Sequence, residues 1–274
     1  MIDTHCHLNF DHYDEDREAV VARAAEAGVR RIINPGIDRQ SNLDALNLAA
    51  RYEGIFAAVG IHPNSTAEFD RPVLDEVAEL ALRPGVVAIG EIGLDYYRDK
   101  SPKKKQMAAF EAQLALAARL ELPVIIHNRK ASEDIIFVLE AWANALPSTL
   151  EHRPGVLHSF SASMEIAERA LRIGFYLGFT GPITFKTADD LRRIAASIPP
   201  ERILVETDGP FLTPEPYRGK RNEPGYIPYI VERLAVLHGV TFEAMAQQTT
   251  DNAVKLFDLP DVQKNSAPQA PRRC

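Results

Sequence analysis

Eight short, mostly apolar runs recur along this 274-residue chain, each followed by a longer amphipathic stretch, and that alternation constrains the fold more than any other property. The runs are Met1 to His7, Val29 to Asn34, Phe56 to His62, Val86 to Leu94, Pro123 to Asn128, Gly155 to Phe160, Gly174 to Thr180 and Arg202 to Asp208. Strands buried on both faces of a parallel sheet have this continuous apolar character. Helical periodicity occupies the intervals, over Asp16 to Ala27, Ser41 to Arg51, Val73 to Leu82, Lys104 to Leu120, Ala131 to Leu146, Met164 to Ile173, Ala188 to Ala196 and Tyr226 to Leu237. Eight strand-helix repeats predict an α/β chain folded as a (β/α)₈ TIM barrel, whose usual size is about 250 residues. A doubly wound open sheet explains the alternation but not the count. A ninth helix, Phe242 to Phe257 with Thr241 as its cap, is expected against the bottom or side of the barrel. Residues 1–259 then form one domain, and residues 260–274, rich in Pro, Gln, Asn and Ser, read as a disordered tail.

Composition narrows the function classes. A hydrophobic fraction of 46% suits a globular protein with a full core, and no apolar run is long enough to span a membrane. Acidic and histidine residues begin at Asp3, where a leader would be basic and apolar, so a cytoplasmic location is expected. Cys6 and Cys274 lie at opposite ends of the chain, which fits a reducing compartment without a structural disulfide. The net charge of −7 argues against a broad basic surface for duplex nucleic acid. Two basic clusters remain, Lys103 to Lys105 and Arg218 to Arg221. The first reads as a solvated helix start; the second lies in a loop rich in Pro and Gly, where no helix face accounts for it.

The unusual polar residues fall at strand ends. His5 and His7 close the first run, His62 follows the third, Glu91 ends the fourth, His127 the fifth, His158 the sixth and Asp208 the eighth. In an extended first strand, His5 and His7 share one face and Cys6 takes the other. In a barrel all C-terminal strand ends open at one mouth, so these side chains converge. Buried imidazoles and carboxylates are costly unless something satisfies them, and a metal centre does so. The expected division gives one cation His5, His7 and Asp208 and the other His127 and His158. Glu91 would then bridge two cations at the separation of about 3.5 to 4 Å common in two-metal hydrolases. His152 precedes the sixth strand and belongs at the wrong end of the barrel. Glu206 shares a face with Asp208 but lies deeper, as a structural ion pair or as a participant in the chemistry.

Several segments together carry a family resemblance. They are Ile2-Asp3-Thr4-His5-Cys6-His7-Leu8, Gly60-Ile61-His62-Pro63, Gly90-Glu91-Ile92-Gly93-Leu94-Asp95-Tyr96, Pro123 to His127, His158-Ser159-Phe160-Ser161, Glu206-Thr207-Asp208, Tyr217 to Pro224 and Thr249 to Ala253. The chain resembles the TatD family of metal-dependent deoxyribonucleases, within the amidohydrolase-like barrels. That resemblance implies a metallo-dependent hydrolase barrel with the same six ligands, His5, His7, Glu91, His127, His158 and Asp208. It departs from the family at Lys130, where an acid is common, at Ser159 and at Gly209-Pro210-Phe211.

The resulting expectation is hydrolysis of phosphodiester bonds by metal-activated water, with two divalent cations (Mg, Mn or Zn) per subunit. Asp208 would orient the water and take its proton, and Glu91 would share the chemistry as the bridge. His62, Asp95, Arg129, Arg218 and Asn222 are the expected substrate contacts. The expected substrate is single-stranded DNA trimmed from its 3′ end, by a monomer that has no membrane partner. Two rivals stand beside this reading: a metal-dependent hydrolase of a small amide or aminoacyl ester, and a binding or quality-control protein whose metal is structural.

Overall fold

The computed structural model describes residues 1–98 and 100–260. Eight parallel strands follow one another in chain order: β1 (Ile2–Asp3), β2 (Arg31–Pro35), β3 (Ile55–Val59), β4 (Val86–Asp95), β5 (Val124–Arg129), β6 (Gly155–Leu157), β7 (Tyr176–Phe179) and β8 (Ile203–Val205). Backbone bonds close the ring between the last strand and the first. Thr4 N donates to Val205 O at 3.1 Å, Asp208 N to His5 O at 2.8 Å and His7 N to Gly209 O at 2.9 Å. Around this barrel lie α1 (Arg17–Glu26), α2 (Arg39–Arg51), α3 (Arg71–Ala81), α4 (Lys103–Leu120), α5 (Ser132–Ala143), α6 (Met164–Arg172), α7 (Asp189–Ser197) and α8 (Ile227–His238). The fold is the (β/α)₈ TIM barrel.

Two buried clusters hold it together. The larger fills the space between strands and helices. The smaller draws one residue from every strand, Ile2, Ile33, Ala58, Ala88, Ile125, Val156, Tyr176 and Leu204. Ala253, Leu256 and Phe257 of the last helix, α9 (Phe242–Phe257), complete that layer. The expected ninth helix therefore plugs the barrel at the end away from the strands' C-termini. Its own start is fixed by the Thr241 hydroxyl, which accepts from Ala244 N at 3.2 Å. Asn252 ties it to the wall by donating to Pro200 O at 2.7 Å and Ile203 O at 2.8 Å. Of the expected tail, residues 261–274 lie outside the described residues.

The strands are shorter than their apolar runs suggest, and the difference shapes the mouth. β1 stops at Asp3 because its carboxylate turns back to accept His5 N at 3.2 Å and Thr207 N at 3.0 Å. Thr4 then reaches Glu206 inside the barrel, while Cys6 packs in the outer cluster. Alternation is broken between Thr4 and His5, but from His5 to His7 it holds as expected, with both histidines on the inner side and Cys6 on the outer. β6 and β8 likewise end early, and Ser159 (φ 46°) and Asp208 (φ 54°) adopt left-handed backbone just beyond them. His158 and Asp208 thus project from turns above the strands. Among the described residues no helix is long and apolar enough to cross a membrane.

Candidate metal centre

At the C-terminal mouth the six expected donors meet, with Glu91 at their middle. Its Oε2 lies 3.5 Å from both His5 Nε2 and His7 Nε2. Its Oε1 faces the other way, 2.7 Å from His127 Nδ1, 3.3 Å from His158 Nε2 and 3.6 Å from His62 Nε2. Asp208 Oδ1 is 3.7 Å from both His5 Nε2 and His7 Nε2, and those two nitrogens are 3.2 Å apart. Five of the six edges among these four atoms therefore measure 3.2 to 3.7 Å. A tetrahedral cation with bonds of about 2.0 to 2.1 Å requires edges of about 3.3 Å. The donor set has the size of a first-row dication.

Acceptors stand behind three of the rings. His7 Nδ1 lies 3.3 Å from Pro35 O, which fixes the proton there and leaves Nε2 as the lone pair. His158 stands between two carboxylates, Glu91 at Nε2 and Glu206 at Nδ1 (3.5 Å). Glu206 is held in turn by Ser159 N, which donates at 2.9 Å. It packs so tightly on Gly178 that any Cβ at that glycine would fall 2.1 Å from its Oε1. Glu206 is therefore held in place behind His158. His127 repeats the arrangement, with Glu91 at Nδ1 and Asp95 at 3.4 Å from Nε2. Its strand is brought close by Gly93 (φ 140°), where a Cβ would collide with His127 O.

The electrostatics point the same way. Burial lowers the pKa of His7 to about 4 and of His62 to about 3, so both rings are neutral. Burial alone would do the same to His127 and His158, but the carboxylates at both of their nitrogens override it and push them up. Glu91, although buried, is held well below the usual carboxylate range by His158, His62 and His127. Burial pushes Asp208 up to about 7. Among the described residues no lysine or arginine pairs with Glu91, Asp95, Glu206 or Asp208; only histidines do. Four carboxylates gathered without a lysine or arginine among the described residues, together with an unpartnered His5 Nδ1, fit a centre that holds divalent cations.

Not every expected contact has its expected place. His62 lies within the donor cluster of Glu91 and His127, but its Nδ1 accepts from Asn64 N at 3.1 Å. The neutral ring therefore carries its proton on Nε2 and presents a donor, not a ligand atom. His158 is less cleanly assigned to the second cation than expected. Its ring stacks on His5 at 3.8 Å, and it groups with His5 and Asp208 as closely as with Glu91.

Two expected substrate contacts are corrected. Asp95 is buried, and its carboxylate is consumed by Tyr97 N and Arg98 N (both 2.9 Å), Asn64 Nδ2 and His127. Asn222 is fully buried and donates to Thr207 O at 2.7 Å and Phe211 O at 2.6 Å, clamping the loop after β8. Neither has a polar atom left for a substrate. Within the second basic cluster, Arg221 is engaged by Asp16 through both terminal nitrogens. Arg218 is exposed and lies over the Phe185 ring at 4.3 Å, and Arg129 is exposed above His127. Asp3, Asn64 and Thr207 carry no signal in sequence spacing, although Asp3 and Thr207 lie within the motif segments and Asn64 follows one.

Comparison with known proteins converges on one family. A model described as TatD related DNase matches residues 2–258. The uncharacterized metal-dependent hydrolase YabD of Bacillus subtilis (strain 168) is 45% identical over 260 residues, covering 94% of this chain and 99% of YabD. The 3′-5′ ssDNA/RNA exonuclease TatD of Salmonella typhimurium is 36% identical over 265 residues, covering 94% and 99% respectively. The crystal structure of YjjV, a TatD homolog from Escherichia coli K12, superposes with a TM-score of 0.88 at 34% identity, covering 95% of this chain and 98% of YjjV.

Proposed function

This chain belongs to the TatD related DNase family of metal-dependent hydrolases, and from that premise we propose that it hydrolyses phosphodiester bonds, trimming single-stranded DNA from the 3′ end with two divalent cations. The observation that carries the reading is the two-sided Glu91 carboxylate, one oxygen turned to His5 and His7 and the other to His127 and His158. The name of the Salmonella relative, a 3′-5′ ssDNA/RNA exonuclease, supports the polarity and the single strand.

His5, His7, Glu91 and Asp208 would hold one cation, and Glu91, His127 and His158 the other. When bound, such cations offset charge on phosphoryl oxygens and acidify water. The chain's own groups divide the remaining tasks. Asp208 is the more open of the two central carboxylates, with 16% of its side chain exposed against 4% for Glu91, so it reaches the attacking water and accepts its proton. Glu91 is walled in and would help to hold both cations. His62 presents its Nε2 proton to the cavity, where it can donate to a phosphate oxygen. Arg129 at the mouth gives the phosphate a fork of donors, and Arg218 on the opposite rim meets the strand beyond it. Asp95 and Glu206 keep His127 and His158 aimed.

The experiment is direct. Metal is removed by dialysis, and end-labelled single-stranded DNA, duplex DNA, RNA and an aminoacyl ester are compared with magnesium, manganese or zinc added back. Metal-restored shortening of single strands from the 3′ end is expected. Equal cleavage of covalently closed duplex would refute the exonuclease reading. Replacing Arg129 and Arg218 together by alanine should cripple turnover of the strand yet spare a small neutral ester; undiminished strand turnover would remove both arginines from phosphate binding.

A further inference from the structure

We propose that the rim formed by the β4–α4 and β5–α5 turns is a track for the uncleaved part of a single-stranded nucleic acid, with Tyr97 as its stacking surface and Lys130 as a phosphate contact. The inference rests on the phosphodiester reading above and extends it beyond the cation centre.

Strands β4 and β5 do not stop at their donors. Gly93 pairs with His127, and the ladder continues to Asp95 opposite Arg129. Two further residues carry the backbone about 7 Å beyond the donor level. There Tyr96 N donates to Arg129 O at 2.9 Å, joining the two turns into one surface. The Tyr96 hydroxyl donates to Asp134 at 2.7 Å, so that acid is already engaged.

Tyr97 crowns the surface and is 54% exposed, among the most open aromatic side chains described. The Arg129 guanidinium lies 4.4 Å from its ring centre and the Lys130 ammonium 4.8 Å. Lys130 reaches that position from a left-handed backbone (φ 53°), which side-chain-bearing residues adopt rarely. That backbone turn sets the Lys130 ammonium over the exposed Tyr97 ring, at the mouth of the barrel. Arg98, Lys100, Arg129 and Lys130 are exposed, and none has an ion-pair partner among the described residues. By contrast, Arg221 on the far rim is committed to Asp16.

An exposed aromatic ring beneath cations that have no ion-pair partner among the described residues, on a chain of net charge −7, is a local feature and not a consequence of overall basicity. Its chemistry matches a single strand, in which bases stack on aromatic and guanidinium planes while phosphates meet cations. Its continuity with His127 places that strand next to the reacting phosphate.

The test uses the metal-loaded full chain and two 3′-labelled oligonucleotides, one too short to leave the cavity and one of about 12 nucleotides, within the site sizes of single-strand grooves. Wild-type KM should fall on going to the longer strand. Tyr97→Ala should raise KM for the longer strand about tenfold, through loss of one base–aromatic stack, and Tyr97→Phe should restore it. Lys130→Gly removes the ammonium while suiting the left-handed backbone, so the fold is not at risk. It should lower the salt dependence of log KM by about 0.7, the value for one phosphate on a single strand. In both variants kcat and the short-strand KM should match wild type. Length-independent KM in the wild type, or variants that affect both lengths equally, would overturn the track while leaving the nuclease reading intact. A wild type that turns over neither oligonucleotide would overturn both.

Discussion

Replacing Glu91 by glutamine tests the central arrangement with a change of only one atom. The carboxylate presents one oxygen to His5 and His7 at 3.5 Å and the other to His127 at 2.7 Å and His158 at 3.3 Å. An amide can offer an oxygen to one side alone. On the other side its NH₂ group points donors where an acceptor is needed, and the bridging charge is gone from both. If the oxygen stays with His127 and His158, the opposite set falls from four donors to three. One of two cations should therefore be lost from Glu91→Gln, and its contribution to the reaction with it. Lewis-acid stabilisation contributes several kcal/mol, and about 3 kcal/mol corresponds to roughly 10²-fold in kcat. The assay is metal per subunit by elemental analysis after desalting, alongside kcat on a 3′-labelled single strand, with melting to confirm the fold. Two retained cations and a kcat close to wild type would refute the bridge.

Three further outcomes follow from the structure. Asp95→Asn keeps the size of the side chain but removes the carboxylate behind His127 Nε2; cation affinity measured by competition with a chelating dye should fall about 10- to 100-fold, and unchanged affinity would remove Asp95 from its positioning role. Phe257→Ala hollows the plug at the closed end of the barrel, where Phe257 is 2% exposed. A loss of about 3 to 5 kcal/mol should lower Tm by about 10 °C, with kcat well below the transition unchanged; a shift confined to a degree or two would show that α9 is dispensable. The Arg221 guanidinium, with Arg23 behind it, lowers the pKa of Asp16 to about 2. Because this folded value lies below that of a free carboxyl, the stabilisation is complete above about pH 4 and fades toward pH 2. The Tm difference between wild type and Asp16→Asn should therefore shrink over that acid range; a difference that persists at pH 2 contradicts the ion pair.

What the sequence makes legible, and what it hides, follows from where each interaction is decided. The barrel is legible because apolar runs and helical periods are local properties repeated eight times. The helix Phe242 to Phe257 is legible to the residue, since Thr241 caps it from within the same segment. Strand ends are not local. β1 stops at Asp3 because of Thr207, 204 positions away, and no window on the first ten residues contains that partner. The same holds for Asn222, a polar residue in a Pro- and Gly-rich loop. It reads as a substrate contact until the carbonyls of Thr207 and Phe211 are seen to need its amide.

At the centre, residue type reveals the donors but not their roles. His62 and His7 are both buried, neutral and aimed at Glu91. They differ because a backbone N–H donates to Nδ1 in one, whereas in the other Nδ1 faces a carbonyl. The first ring must then keep its proton toward the cavity, and the second must expose a lone pair. Glu206 and Asp95 show the converse. One lies two residues before Asp208 and the other four after Glu91, with no shared spacing, yet each places a carboxylate behind the far nitrogen of a histidine that faces Glu91. The two histidines are therefore backed in the same way although nothing in the sequence relates them. An exchange at either position should therefore act on cation affinity first and on turnover only through it.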